Sequence, residues 1–129
     1  MSTEDNKALV RRFYEEVFNQ RNLALVDELC TTTHMFHNPP TTLHGREEFK
    51  QLLSLYTRAF PDARFTIEDQ IAEGNMVASR YTFHGTHRGE LMGIAPTGKQ
   101  VTRTMIQIFH LRDGKLLEEW VEGESLRQQ

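Results

Sequence analysis

Phe60-Pro61-Asp62-Ala63-Arg64-Phe65-Thr66-Ile67-Glu68 is the stretch at which the hydrophobic period of the chain changes. Upstream of it Phe49, Leu52, Leu53, Tyr56 and Phe60 recur at three and four residues, which predicts a helix stopped by Pro61. Downstream, Phe65, Ile67 and Ile71 alternate with Arg64, Thr66 and Glu68, which predicts a strand with one face buried. Working back toward the N-terminus, Leu9, Val10, Phe13, Tyr14, Val17 and Phe18 form another stripe of period 3.6 behind the capping residues Ser2, Thr3 and Asp5. Asn22 opens a short second helix with Leu23, Val26 and Leu29 inward. The segment from Thr31 to Gly45, which contains Pro39-Pro40 and three of the six histidines, reads as an irregular loop.

Working forward, Glu73-Gly74-Asn75 is a tight turn into a strand from Met76 to Thr86, with Val77, Tyr81 and Phe83 on one face. Gly85 to Gly98 interrupts the pattern. Val101 to Leu111 is the third strand, Asp113-Gly114 the turn, and Leu116 to about Gly123 the fourth. Helices first and an antiparallel meander afterwards is α+β order, with the helices on one face of the sheet. Residues 1–129 show no repeat, linker or low-complexity segment, so a single domain is expected. The face carrying Val77, Tyr81 and Phe83 is too apolar to stay bare, so it either joins two copies through the sheet or lies under the helices.

Composition narrows the function. Fifteen basic against 18 acidic residues give a formal net charge of −3, which offers no field for a nucleic-acid backbone. No apolar run approaches the length of a membrane span, and the N-terminal residues lack the basic-then-apolar order of a secretory signal. A soluble, cytoplasmic protein with neither nucleic acid nor membrane as partner is expected. The lone Cys30, among Leu25, Val26 and Leu29, reads as a buried, inert thiol.

Several patterns carry candidate chemistry. Gly93 to Lys99 has the spacing of a phosphate loop, but Gln100 replaces the magnesium-binding hydroxyl and a strand follows instead of a helix, so it reads as a turn. His34 and His37, like His84 and His87, are three apart. On a strand such pairs point to opposite faces, and no third ligand accompanies them, so no metal is expected. In the last strand Leu116, Glu118, the single tryptophan Trp120, Glu122 and Glu124 share parity. A Trp beside carboxylates in a concave sheet creates the partly apolar surroundings that suit general acid–base work, while the plainer reading is a solvated strand end. Arg80 and Arg103 lie within strands, where they either pair with these carboxylates, receive an anionic substrate group, or face solvent.

Gly85-Thr86-His87-Arg88-Gly89-Glu90-Leu91-Met92-Gly93-Ile94-Ala95-Pro96-Thr97-Gly98-Lys99 resembles the signature of the SnoaL-like polyketide cyclase, or ester cyclase, group. His37-Asn38-Pro39 with Gly45, Ala59-Phe60-Pro61-Asp62, and Asp113-Gly114-Lys115-Leu116 ahead of Glu118 and Trp120 extend the resemblance along the chain. It implies a nuclear transport factor 2-like cone, three N-terminal helices packed on a curved antiparallel sheet, commonly as a homodimer. It also implies a cofactor-independent cyclase that closes a ring by intramolecular aldol condensation of an apolar carbonyl substrate. The family's acid, four residues after the tryptophan, corresponds to Glu124, one methylene longer than the usual aspartate. His87 would assist, Arg80 or Arg103 would steady an enolate, Trp120 would form a wall, and His37 and Asn38 would line the mouth. An isomerase or hydrolase in the same cone, and a non-catalytic module binding a small apolar molecule, are the alternatives. They separate on the pocket: a closed apolar cavity with Glu124 and a second polar group inside it supports an enzyme, whereas a cavity filled by side chains, or Glu124 pointing to solvent, supports the binding module.

Overall fold

The computed structural model describes residues 2–124 and Leu126. Helix α1 (Thr3–Arg12) starts on a reciprocal cap: Ser2 Oγ accepts from the Asp5 N–H at 3.0 Å and the Asp5 carboxylate accepts from the Ser2 N–H at 3.3 Å. From Phe13 to Asn19 the helix widens to π geometry, with Phe13, Tyr14, Val17 and Asn19 buried. A 3₁₀ turn (Leu23–Leu25) leads into the short α2 (Val26–Leu29), and α3 (Arg46–Ala59) ends before Pro61, as the periodicity predicts.

Six strands follow the order β2-β1-β6-β5-β4-β3, with β1 Cys30–Asn38, β2 Thr41–His44, β3 Arg64–Glu73, β4 Met76–Thr86, β5 Gln100–Arg112 and β6 Lys115–Gly123. The helices cover one face of this curved sheet, and among the described residues none lies beyond Pro61. Phe13 ties the layers together, with its ring 5.9 Å from Phe49 of α3 and 6.0 Å from Phe109 of β5. Val77, Tyr81 and Phe83 are buried beneath the helices, which settles the two readings of that face. The opposite face leaves Ile71, Met76, Ile106 and Ile108 exposed.

Two sequence expectations need correction. The stretch from Thr31 to Gly45 is not an irregular loop. It holds β1 and β2, and β1 is a strand because it is paired on both sides, antiparallel to β2 and parallel to β6. One parallel pair therefore interrupts the otherwise antiparallel sheet.

The second correction concerns strand parity. In β3, Glu68 is an extra residue between the pairs Ile67/Tyr81 and Asp69/Arg80. In β6, Leu117 is extra between the pairs Leu116/Leu111 and Glu118/His110. Each bulge exchanges inner and outer positions for the rest of its strand. Ile71 is therefore 73% exposed although Phe65 faces inward, and beyond Leu117 the inner face carries Glu119, Val121 and Gly123 instead of Glu118, Trp120 and Glu122.

Candidate functional site

Between the helices and the sheet lies a cavity of about 220 Å³. Its wall is largely aromatic and aliphatic: Phe18 from the π segment, Tyr56 from α3, and Phe65, Tyr81, Phe83 and Met105 from the sheet. The π geometry matters here, since the widened turns bury Tyr14 and bring Phe18 onto the ring of Phe65 at 4.4 Å. Burial pushes the Tyr14 and Tyr81 hydroxyls above the usual phenol range, with the charge of Glu119 adding to it, so both stay protonated.

Two polar groups mark the ends of the cavity. At the mouth Glu124 follows directly after β6, its side chain 73% exposed and its Oε2 3.2 Å from Arg103 Nε. Arg103 lies on the inner parity of β5, with Val101, Met105 and Gln107. Gln107, two residues deeper than Met105, is 2% exposed and also lines the cavity. Its carboxamide is held on both sides: Oε1 accepts from the Tyr14 hydroxyl at 2.6 Å, and Nε2 donates to Glu119 Oε1 at 2.5 Å. Glu119 Oε2 meets His34 Nε2 at 2.7 Å, and both side chains are fully buried. A chain of buried polar groups thus runs from the back of the core to the cavity.

A model of the SnoaL-like polyketide cyclases matches residues 8–128. The chain belongs to the SnoaL-like polyketide cyclase family. It is similar to aklanonic acid methyl ester cyclase AcmA of Streptomyces galilaeus, 30% identical over 115 residues, covering 84% of this chain and 77% of that protein. It is also similar to the nogalonic acid methyl ester cyclase of Streptomyces nogalater, 28% identical over 119 residues, covering 86% and 87% respectively. In fold it resembles a SnoaL-like polyketide cyclase of Agrobacterium tumefaciens, with a TM-score of 0.80 at 17% identity over 98% of this chain and 94% of that one.

The residues singled out in this SnoaL-like chain fall into three groups. Glu124, Arg103 and Asn38 come together at the cavity, Glu124 and Asn38 in its lining and Arg103 through Glu124. Trp120, His37 and Arg80 do not, because all three lie on the outer face of the sheet. The Leu117 bulge turns Trp120 outward, where it stacks on His37 at 5.4 Å, and His37 Nε2 pairs with Glu118 at 2.5 Å. Arg80 binds Asp69 across the strands through Nε at 2.8 Å. The expected tryptophan wall is supplied instead by Phe18, Phe65 and Phe83.

His87 is the third case. It is fully buried outside the cavity lining, its ring 5.5 Å from Phe60 and its Nδ1 3.3 Å from the Thr97 hydroxyl. Its backbone N–H donates to Lys99 O and its carbonyl accepts from the Gly98 N–H, which closes the loop of the family signature on itself. That loop docks on the end of α3, where the Arg88 and Gly89 N–H groups both donate to Ala59 O. Thr86 adds an anchor through its N–H and hydroxyl, which hold the Asp62 carboxyl below its usual range. The signature residues His87, Gly89 and Thr86 thus position the loop whose Met92 roofs the cavity.

Gly89 shows how tight this docking is. A Cβ there would lie 2.4 Å from the Arg58 carbonyl oxygen, so Gly89→Ala must push the loop off the helix end. The expected cost is about 1–3 kcal/mol, read as a lower denaturant midpoint at unchanged slope.

Sequence reasoning missed Gln107 and Glu119, read Tyr14 only as part of the apolar helix stripe, and weighed His34 only as a metal ligand. Gln107 was within reach, as the one amide on an inner parity otherwise made of Val101, Met105, Phe109 and Leu111 with Arg103. Glu119 was not, since its side depends on the Leu117 bulge.

Proposed function

We propose that this SnoaL-like protein closes a ring in an apolar, polyketide-like carbonyl compound by intramolecular aldol condensation, with Glu124 transferring the proton and no cofactor taking part. The observation that carries the reading is the position of Glu124: a carboxylate at the mouth of an aromatic cavity, beside Arg103. The ion-paired carboxylate starts as the base and removes a proton α to a carbonyl, leaving an enolate. The enolate carbon attacks a second carbonyl of the same molecule, one carbon–carbon bond forms, and the new alkoxide takes the proton back from Glu124. Arg103 places positive charge next to the negative charge that develops. Asn38 lines the same mouth, and the aromatic wall holds the folded substrate in place.

Ring closure by the addition just written, with no loss of water, leaves the mass unchanged. Incubation with aklanonic acid methyl ester and a panel of smaller aryl keto esters should give a product of equal mass and shifted retention, whose formation depends on the enzyme. Failure with every member of the panel overturns the reading in favour of a binding module.

The protein acts as a cytoplasmic homodimer in this reading. No helix among the described residues is long and apolar enough to cross a membrane, and Cys30 is a free, buried thiol whose titration burial pushes well up. The outer sheet face carries Met76, Ile106 and Ile108 exposed, with the paired charges of Arg80 and Asp69 beside them. Such a face, apolar and charge-balanced, is complementary to its own two-fold copy. Sedimentation should show twice the 15.0 kDa chain mass at micromolar concentration, and Ile106→Glu/Ile108→Glu should return it to the monomer with the fold intact.

A further inference from the structure

The buried chain behind the cavity sets which way the Gln107 amide faces. An amide can be turned over at little steric cost, so its orientation is decided by its partners. Tyr14 presents a hydroxyl hydrogen to Gln107 Oε1 at 2.6 Å, and burial keeps that hydroxyl protonated. Glu119 presents an acceptor to Nε2 at 2.5 Å, while its other oxygen is taken by His34 at 2.7 Å. Turned over, the amide would set its oxygen against an oxygen of Glu119, a clash that the Tyr14 hydroxyl, able to accept as well as donate, cannot relieve. Only one orientation satisfies both neighbours. In it the amide oxygen is used by Tyr14, and one of the two Nε2 hydrogens is used by Glu119. The second hydrogen has no acceptor among the described residues, and Gln107 lines the cavity while being 2% exposed.

We propose that Tyr14 and Glu119 lock the Gln107 carboxamide with an N–H toward the deep end of the cavity, so that the cavity selects apolar ligands carrying a carbonyl or enolate oxygen at that end. Tyr14 and Glu119 are positioning residues, since neither lines the cavity, and His34 holds Glu119 in turn. This deepens the proposed function, resting on the cavity being the ligand site. It gives the substrate a direction: the oxygen that accepts from Gln107 lies deep, and the carbon that loses its proton lies toward Glu124. Gln107 and Glu124 are separated by about 7 Å of strand plus one residue. The rest of the lining is largely aromatic and aliphatic, with Arg21, Asn38, Thr57 and the Tyr56 and Tyr81 side chains among its other polar members, and a hydrocarbon of the same outline would leave the Gln107 hydrogen unsatisfied.

The test uses two flat probes of one shape, 9-fluorenone and fluorene, titrated into the full chain. Wild type should prefer fluorenone, and the infrared carbonyl band of bound ¹³C-labelled fluorenone should lie below its position in hexane. Gln107→Leu should reduce that preference by about tenfold and move the band back toward the hexane position. Tyr14→Phe/Glu119→Gln, which leaves Gln107 in place but frees its orientation, should reduce the preference severalfold while fluorene affinity stays within about twofold. A purely structural role for these two residues would move both probes together. A wild-type band at the hexane position, or a preference that Gln107→Leu leaves unchanged, overturns this inference while the cavity reading survives. The wild-type band gives that answer even if a variant fails to fold. Absence of binding by either probe, or binding that Met105→Trp does not block, overturns both.

Discussion

Glu124→Gln is expected to lower kcat by about 10²–10⁴-fold on any compound the protein cyclises, with ligand affinity within about threefold of wild type. The carboxamide keeps the shape of the carboxylate, and its oxygen can still accept from Arg103 at the 3.2 Å position. What it loses is the ability to take up a proton, which is needed only on the way to the enolate. An interaction made only in the transition state lowers kcat and kcat/KM together, whereas loss of a binding contact would raise KM. Full activity in this variant would remove Glu124 from the mechanism. Glu124→Asp then reports on the extra methylene: a carboxylate drawn back by about 1 Å misaligns proton transfer if the pocket is fitted to the longer acid. Higher activity in Glu124→Asp would instead show a site still shaped for aspartate.

The parts of this protein that were legible in its sequence are those in which one period persists. The helical stripe from Phe49 to Phe60 ends where Pro61 says it must, and Val77, Tyr81 and Phe83 keep one parity through an unbroken strand. Glu124 and Arg103 were legible too, one through the resemblance and the other as a strand arginine. The losses share a physical cause. A bulge adds one residue to a ladder and changes no residue type, so Glu68 and Leu117 leave no local mark while reversing everything after them. Trp120 was carried to the wrong face by Leu117, and Glu119, reversed by the same residue, was hidden. β1 escaped for another reason. Its strand character comes from partners at the two ends of the chain order, β2 directly after it and β6 more than 70 residues later, and pairing at that distance is not written in local propensity. His87 misled because a family motif does not say whether its residues serve chemistry or loop closure. Its contacts with Phe60, Thr97 and Lys99 place it within the closed loop and outside the cavity lining.

The buried pair His34 and Glu119 should dominate stability in a way its distance from the mouth does not suggest. Both side chains have no solvent exposure, and among the described residues the Glu119 carboxylate meets two partners, His34 Nε2 and Gln107 Nε2. The His34 ring packs 4.5 Å from Phe49, so His34→Leu keeps the apolar contact while stripping one carboxylate oxygen of its partner. Leaving a buried carboxyl oxygen without its donor costs about 1–3 kcal/mol, and for a domain of this size that is a fall in Tm of roughly 4–15 °C. The informative companion is His34→Leu/Glu119→Leu, which removes the stranded carboxyl as well. The double variant leaves Gln107 without its acceptor, but that amide borders the cavity, where water can reach it. The double variant is therefore expected to be more stable than His34→Leu alone, a coupling opposite in sign to simple addition of two losses. If the two losses instead add, the pair is held together by packing and not by the need of one carboxylate for its donors.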